Sequence, residues 1–153
     1  MADYVKPVVF KVGNESYGVD INLVQSIEND ISIVPVPNSI AYVKGIVNLR
    51  GEVIPVYSLK RKFNMSDDGF STSCVIISTG EIKIALEVDE VVEISEIRPD
   101  MIIPMPAIIR NAETAYMDRV ANMEGKLIVL LDVQKLLTDE ESEAVKRLAE
   151  DMK

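Results

Sequence analysis

The 153-residue chain contains no histidine, no tryptophan and one cysteine, with three phenylalanines and five tyrosines. Each shortage excludes something. Without histidine there is no Ser/His or Cys/His nucleophile pair and no imidazole metal ligand, so chemistry would have to run on carboxylates, lysines or the lone thiol. One cysteine, Cys74, cannot form an intramolecular disulfide. It sits in SCVIIS, whose apolar run predicts a buried strand with the thiol as a small core hydrophobe. So few aromatics make a poor concave face for a sugar or other small ligand. Positive charge is also scarce: 16 Lys and Arg against 25 Asp and Glu give a net charge of −9. A broad surface for nucleic acid or anionic lipid is not expected. No apolar run approaches the roughly 18 residues that span a bilayer. Residues 1–10 lack a signal-peptide pattern, so the chain reads as cytoplasmic, with no direct membrane insertion. No P-loop, dinucleotide fingerprint or metal-ligand cluster appears. The expectation is no catalytic residue, no metal and no cofactor.

What is present is a hydrophobic content of 48 % in a length suited to one domain, 1–153, able to hold two small lobes. The densest stretch is Gly45 to Phe63, GIVNLRGEVIPVYSLKRKF. It reads as two strands folded back at Arg50-Gly51, with β-branched and aromatic residues on both sides of the turn. Gly51 supplies the positive φ of a tight turn, Asn48 precedes it, and Gly45 marks a second place of close backbone approach. Arg50 is carried to the rim. The following Lys60, Arg61 and Lys62 read as a solvated strand end rather than a phosphate site.

A repeat runs through the chain. Gly13, Tyr17 to Ile21, Val24 and Ile27 are echoed by Gly80, Ile84 to Val88, Val91 and Ile94, all at an offset of 67. Val34-Pro35-Val36-Pro37 returns as Ile103-Pro104-Met105-Pro106, and Asn48, Gly51, Val53, Ile54 and Phe63 return as Asn122, Gly125, Leu127, Ile128 and Leu137. Short strands with close turns predict a mainly β fold of two small five-stranded barrels, over 8–63 and 73–137. Between them the polar linker 64–72 reads as a mobile loop. Whether the lobes exchange strands is open. Asn38 is placed to cap a helical turn through Ala41 and Tyr42. Thr138 with Glu141 forms a capping box for a helix over 138–153, with Ala144, Val145 and Leu148 as its apolar stripe. A carboxylate enzyme built on Asp89 and Asp132 is a competing reading; both look like solvated strand ends. A small-ligand-binding β-barrel is another.

Tyr17 to Ile21, Val24, Pro35, Pro37, Tyr42 to Ile46, Asn48 to Gly51, Val53 to Val56 and Leu127 to Leu137 together resemble the CheW family of chemotaxis coupling proteins. The resemblance runs from about Val8 to Leu137. It implies two SH3-like five-stranded barrels around a shared core, and a non-catalytic adaptor that couples the cytoplasmic tip of a chemoreceptor to the regulatory domain of the histidine kinase CheA. The absence of a flanking receiver or kinase domain reads as the stand-alone coupling protein. A coupling protein of a twitching or developmental pathway is an alternative of the same fold. By resemblance, Arg50, Asn48, Gly51, Gly45, Val24 and Ile27 are receptor-contact positions, and Val36, Ile46 and Val53 are guesses for the kinase surface. One departure stands out. Ser26 occupies a position where many relatives carry an acid, with Glu28 as a possible substitute.

Overall fold

The computed structural model describes residues 4–37, 42–67, 69–80, 82–106, 114–137 and 139–151. Twelve strands form among them: β1 (Pro7–Val12), β2 (Glu15–Asp20), β3 (Val24–Glu28), β4 (Val34–Pro35), β5 (Val43–Leu49), β6 (Glu52–Ser58), β7 (Ser73–Ser78), β8 (Lys83–Val88), β9 (Glu90–Ile94), β10 (Ile102–Pro104), β11 (Met117–Met123) and β12 (Lys126–Leu131). Helix α1 (Leu59–Lys62) follows β6, and α2 (Asp139–Asp151) lies near the C-terminus.

The strands make two sheets, ordered β3-β7-β8-β6-β5-β4 and β10-β11-β12-β2-β1-β9. In the first, consecutive strands β3 and β4 lie at opposite edges, so the segment joining them wraps across the open side. Counted as one bent strand, β3–β4 makes the first barrel five-stranded, and β9–β10 does the same for the second. Strand residues alternate between two environments, as a pleat requires. Val47, Ile54, Val56, Cys74, Ile76 and Ala85 fill the first barrel. Val9, Ile97, Ala121, Ile128 and Leu130 fill the second. The opposite faces, with Val8, Phe10 and Val19 from one sheet and Tyr57, Ile77 and Leu86 from the other, meet in a larger shared core that also takes in Leu136 and Val145.

The duplication extends to irregularities. A bulge at Val24/Ser26 in the β3–β7 pairing matches one in β1–β9, and a bulge at Val43/Gly45 matches one at Met117/Arg119. Each barrel also closes through one parallel pair, Val56 beside Ala85 and Leu130 beside Gly18. Those pairs answer the question of exchange. The hairpin β1–β2 joins the sheet of β9–β12, and β7–β8 joins that of β3–β6. The halves 8–63 and 73–137 are therefore units of sequence, while each sheet draws strands from both.

Between β2 and β3, Ile21–Leu23 is a 3-10 turn because the Asp20 side chain accepts the Asn22 N–H. Local features differ from expectation in two places. Lys60-Arg61-Lys62 is the helix α1 rather than a strand end, since the Ser58 hydroxyl accepts the Arg61 N–H and starts a helical turn. Lys60 then pairs with Asp89 at 2.9 Å, Arg61 with Asp67 at 3.2 Å, and Lys62 stands over the rings of Tyr42 and Tyr116. The linker, finally, is tied down by buried charge, as described below. The turn beginning at Asn38, the capping Thr138 and the side chain of Leu148 lie outside what is described.

Candidate functional site

The hairpin β5–β6 is built as its sequence suggests. Arg50 and Gly51 both take positive φ, +50° and +87°. The Asn48 side chain accepts the Gly51 N–H at 3.0 Å, closing the turn from below. This leaves the Arg50 side chain 70 % exposed. Its guanidinium meets Glu28 of β3, Nη2 to Oε2 at 3.5 Å. Barrel closure produces that contact, because β3 pairs with β7 and reaches the hairpin only across the open side. Gln25, Ser26, Leu49, Arg50 and Glu52 line a shallow depression there of about 240 Å³.

Gly45 lies elsewhere and has a different task. A Cβ there would press on the Val34 carbonyl and on Pro35, so glycine lets the edge strand β4 close onto β5. Val24 and Ile27 are half-buried and pack on the shared core. They belong to β3, which also carries Glu28, so they set the strand from which Arg50 is met. Ile46 and Val53 share one face of the first sheet, as Ile46 lies opposite Pro55 and Asn48 opposite Val53. Val53 and Pro55 line a groove of about 320 Å³ beside α2, with Val145 and Lys146 on its other wall. Val36 donates its N–H to the Lys44 carbonyl at 3.4 Å. The structure thus gathers Arg50, Asn48 and Gly51 into one turn, and spreads the remaining positions over β3 (Val24, Ile27), the residue after β4 (Val36) and strands β5 and β6 (Gly45, Ile46, Val53).

Behind the hairpin lies a charged cluster with no counterpart in the sequence reading. Lys44, at the β5 bulge, is buried; its Nζ donates to Asp67 at 2.9 Å, Glu87 at 2.8 Å and the Gly69 carbonyl at 2.6 Å. Phe70 covers the same ammonium at 4.4 Å. Asp67 also accepts from the Ser58 hydroxyl, and Glu87 from the Ser71 N–H. Burial pushes the Asp67 carboxyl upward, but the hydrogen bonds from Ser58 and Lys44 and the charges of Lys44 and Arg61 outweigh it and hold it below the usual range. Lys60 is raised, chiefly by its hydrogen bond to Asp89. Asp89 also takes the Gly13 N–H at 2.7 Å. These contacts pin the linker to the first barrel. The available signal was a lysine and a glutamate inside otherwise apolar runs, YVKGI and IALEV.

The candidates for chemistry have structural duties. Asp89 joins two turns, and Asp132 accepts the Gln134 N–H at 3.0 Å to start a 3-10 turn. Cys74 is fully buried and its thiol is pushed up to about 12 by burial, with Glu87 and Glu28 adding to the effect.

Residues 6–141 match the family model of the CheW-like domain. The chain is similar to the chemotaxis protein CheW of Rhizobium meliloti, 31 % identical over 140 residues that cover 90 % of each chain. It is also similar to that of Klebsiella aerogenes, 28 % identical over 93 % of this chain and 87 % of the relative. The fold superposes on the crystal structure of the scaffolding protein TtCheW from Thermoanaerobacter tengcongensis with a TM-score of 0.77 and 33 % identity, covering 88 % of this chain and 92 % of that one.

Proposed function

From the premise that the chain belongs to the CheW-like family, we propose that it is the coupling adaptor of a chemotaxis system, without catalytic activity of its own, that joins the helical cytoplasmic tip of a chemoreceptor to the regulatory domain of CheA and is recruited from the cytoplasm to receptor arrays. The observation that carries this reading is the Arg50 turn: an exposed cation on a rigid hairpin, beside half-buried apolar residues and a shallow depression. Apolar burial supplies affinity in such a site, while charge supplies orientation and association rate. An adaptor needs two modest faces rather than an enclosed pocket. The apolar surface of Ile46 and Val53 on the same sheet is assigned to the kinase.

The test is co-sedimentation with a receptor signalling fragment and CheA, with phosphate incorporation into CheA as the readout. Wild type is expected to join the assembly and raise receptor-dependent kinase activity. Arg50→Glu is expected to stay folded and lose at least about 30-fold in receptor affinity, the effect of about 2 kcal/mol at a desolvated arginine. Failure of the wild-type protein to bind either partner overturns the reading.

A further inference from the structure

The first barrel has an open side, where the residues between β3 and β4 cross from one edge of its sheet to the other. Ile31 and Ile33 of this crossing are partly buried against the barrel interior, in the cluster that holds Cys74 and Ile76. The edge it leads to is short. Strand β4 is Val34–Pro35, set against Ile46 and Gly45 of β5, and neither Pro35 nor Pro37 has an N–H to donate. Two backbone hydrogen bonds fasten the crossing near its ends. The Ile31 N–H donates to the Thr72 carbonyl at 3.0 Å, and the Val36 N–H to the Lys44 carbonyl at 3.4 Å. Both lead to one residue. Thr72 ends the strap whose Asp67 carboxylate and Gly69 carbonyl take two of the Lys44 ammonium hydrogens. Glu87 takes the third and also accepts the Ser71 N–H. Lys44 is placed for this because it is the extra residue of the bulge at Val43/Gly45, outside the β5–β6 ladder.

We propose that Lys44 is the positioning residue of this open side. Its ammonium holds the strap that ties the crossing at Ile31, its carbonyl ties the far end at Val36, and together they set the edge that β4 and Val36 present. A buried ion cluster adds little net stability over apolar side chains of the same volume, so geometry is what it contributes here. With the cluster replaced by neutral groups the site is still filled, but nothing directs Gly69 and Thr72 to their places. Ile31 then loses its acceptor, the crossing lifts, and the interior at Cys74 opens while the parallel pairs of both barrels stay closed. In the intact protein the latch is shut and Cys74 is sealed. The functional part rests on the reading of Val36 and Ile46 as kinase-facing: the kinase domain meets an edge already ordered, rather than one it must order on binding.

The experiment uses the full chain as wild type, Lys44→Met, the triple variant Lys44→Met, Asp67→Asn, Glu87→Gln, and Ile128→Val. The triple variant removes the uncompensated acids, so it regains stability without regaining the tie. Ile128→Val lowers stability from the interior of the second barrel and leaves Lys44 intact. Urea unfolding, iodoacetamide labelling of Cys74 in native buffer, and affinity for the regulatory domain of CheA are measured on each. Lys44→Met and the triple variant are both expected to label at least about tenfold faster than their own unfolding free energies allow, through local opening. Ile128→Val is expected to label only at its rate of global opening. Kinase-domain affinity is expected to fall about two- to tenfold in both Lys44 variants, the range for ordering a side chain on binding, and to stay low in the triple variant despite its stability. If labelling and affinity return to wild type along with stability in the triple variant, the positioning role is overturned. If labelling is fast but kinase affinity is unchanged, the assignment of the Val36 edge to the kinase falls. If wild type binds neither kinase nor receptor fragment, the coupling reading falls, and the labelling comparison still decides the latch.

Discussion

Arg50 and Glu124 occupy the same position in two hairpins that are otherwise alike. Each takes a left-handed φ, +50° and +55°; each precedes a glycine at +87° or +86°. Each turn is closed by an asparagine that accepts the glycine N–H at 3.0 Å. The duplicated chain thus preserved the turn and reversed the charge it carries. Backbone geometry makes no demand for arginine at this point. A left-handed residue with a side chain costs about 1–2 kcal/mol, least for asparagine. Arg50→Asn is accordingly expected to raise the unfolding free energy by up to about 1 kcal/mol in urea titration, while receptor binding falls. A drop in stability instead would assign the arginine to the fold.

Gly45 gives the opposite expectation. Its Cβ would meet the Val34 carbonyl, part of an edge-strand backbone that cannot rotate away as a side chain can. Gly45→Ala should cost about 1–3 kcal/mol, the usual range for overpacking. Hydrogen exchange should show β4 released from β5 while β7–β8 keeps its protection. Gly51→Ala, where nothing lies near the added carbon, should cost only the strain of its positive φ, about 1 kcal/mol.

Lys44 is the residue on which the linker depends. Lys44→Met leaves Asp67 and Glu87 facing each other in a nearly dry site, and removal of one partner from a buried pair typically costs about 3–5 kcal/mol. The triple change Lys44→Met, Asp67→Asn, Glu87→Gln should recover part of that loss, as it removes the uncompensated charges. Thermal unfolding of the two variants side by side checks the order. Limited proteolysis should cut Lys44→Met within 64–72 first.

Acid should release the same linker. Asp67 is held below its unfolded-state range, so the folded protein binds its proton less readily than the unfolded chain does. Its contribution is present at pH values above the unfolded value of about 3.9 and is lost as pH falls through the lower folded value. Stability measured from pH 6 down to pH 2 should fall over that acid window, and Asp67→Asn should be less stable at pH 6 with a flatter profile below pH 4.

Cys74 should resist alkylation. With no exposed surface and its thiol pushed up to about 12, it presents almost no thiolate at pH 8. Iodoacetamide should label it only at the rate of global opening, and at full speed in denaturant. Rapid labelling of the native protein would mean that the first barrel opens locally.

Much of this architecture was legible in the sequence because strand periodicity and turn glycines are local signals. The offset of 67 placed β1–β2 over β7–β8, and Asn48/Asn122 with Gly51/Gly125 placed the two tight turns. What was illegible was every partner chosen at long range. Gly18 reads equally well beside any strand, and only closure of the sheet sets it against Leu130. Glu28 stands 22 positions before Arg50 and meets it through barrel curvature rather than strand pairing. Lys44 was illegible for a related reason: a lone charge within YVKGI does not name its partners, and it is the fold around the bulge at Val43/Gly45 that sets it against Asp67 and Glu87. The polar linker was read as mobile from composition, which records that Asp67, Gly69 and Ser71 are hydrophilic but not that they have ligands waiting.

The crossing of β1–β2 into the later sheet has a consequence for how the protein is made. During synthesis the first hairpin leaves the ribosome long before β12, the strand it must lie beside, exists. The other barrel must likewise wait for β8 before its parallel pair can form. Neither barrel can be completed from its own half of the message. The nascent chain therefore spends most of its elongation with open sheet edges, a state prone to misassociation. The same interleaving means that a nick in the linker would not yield two separable modules. It would yield two incomplete strands sets, each lacking the hairpin that the other holds, and they would persist only as a joined pair.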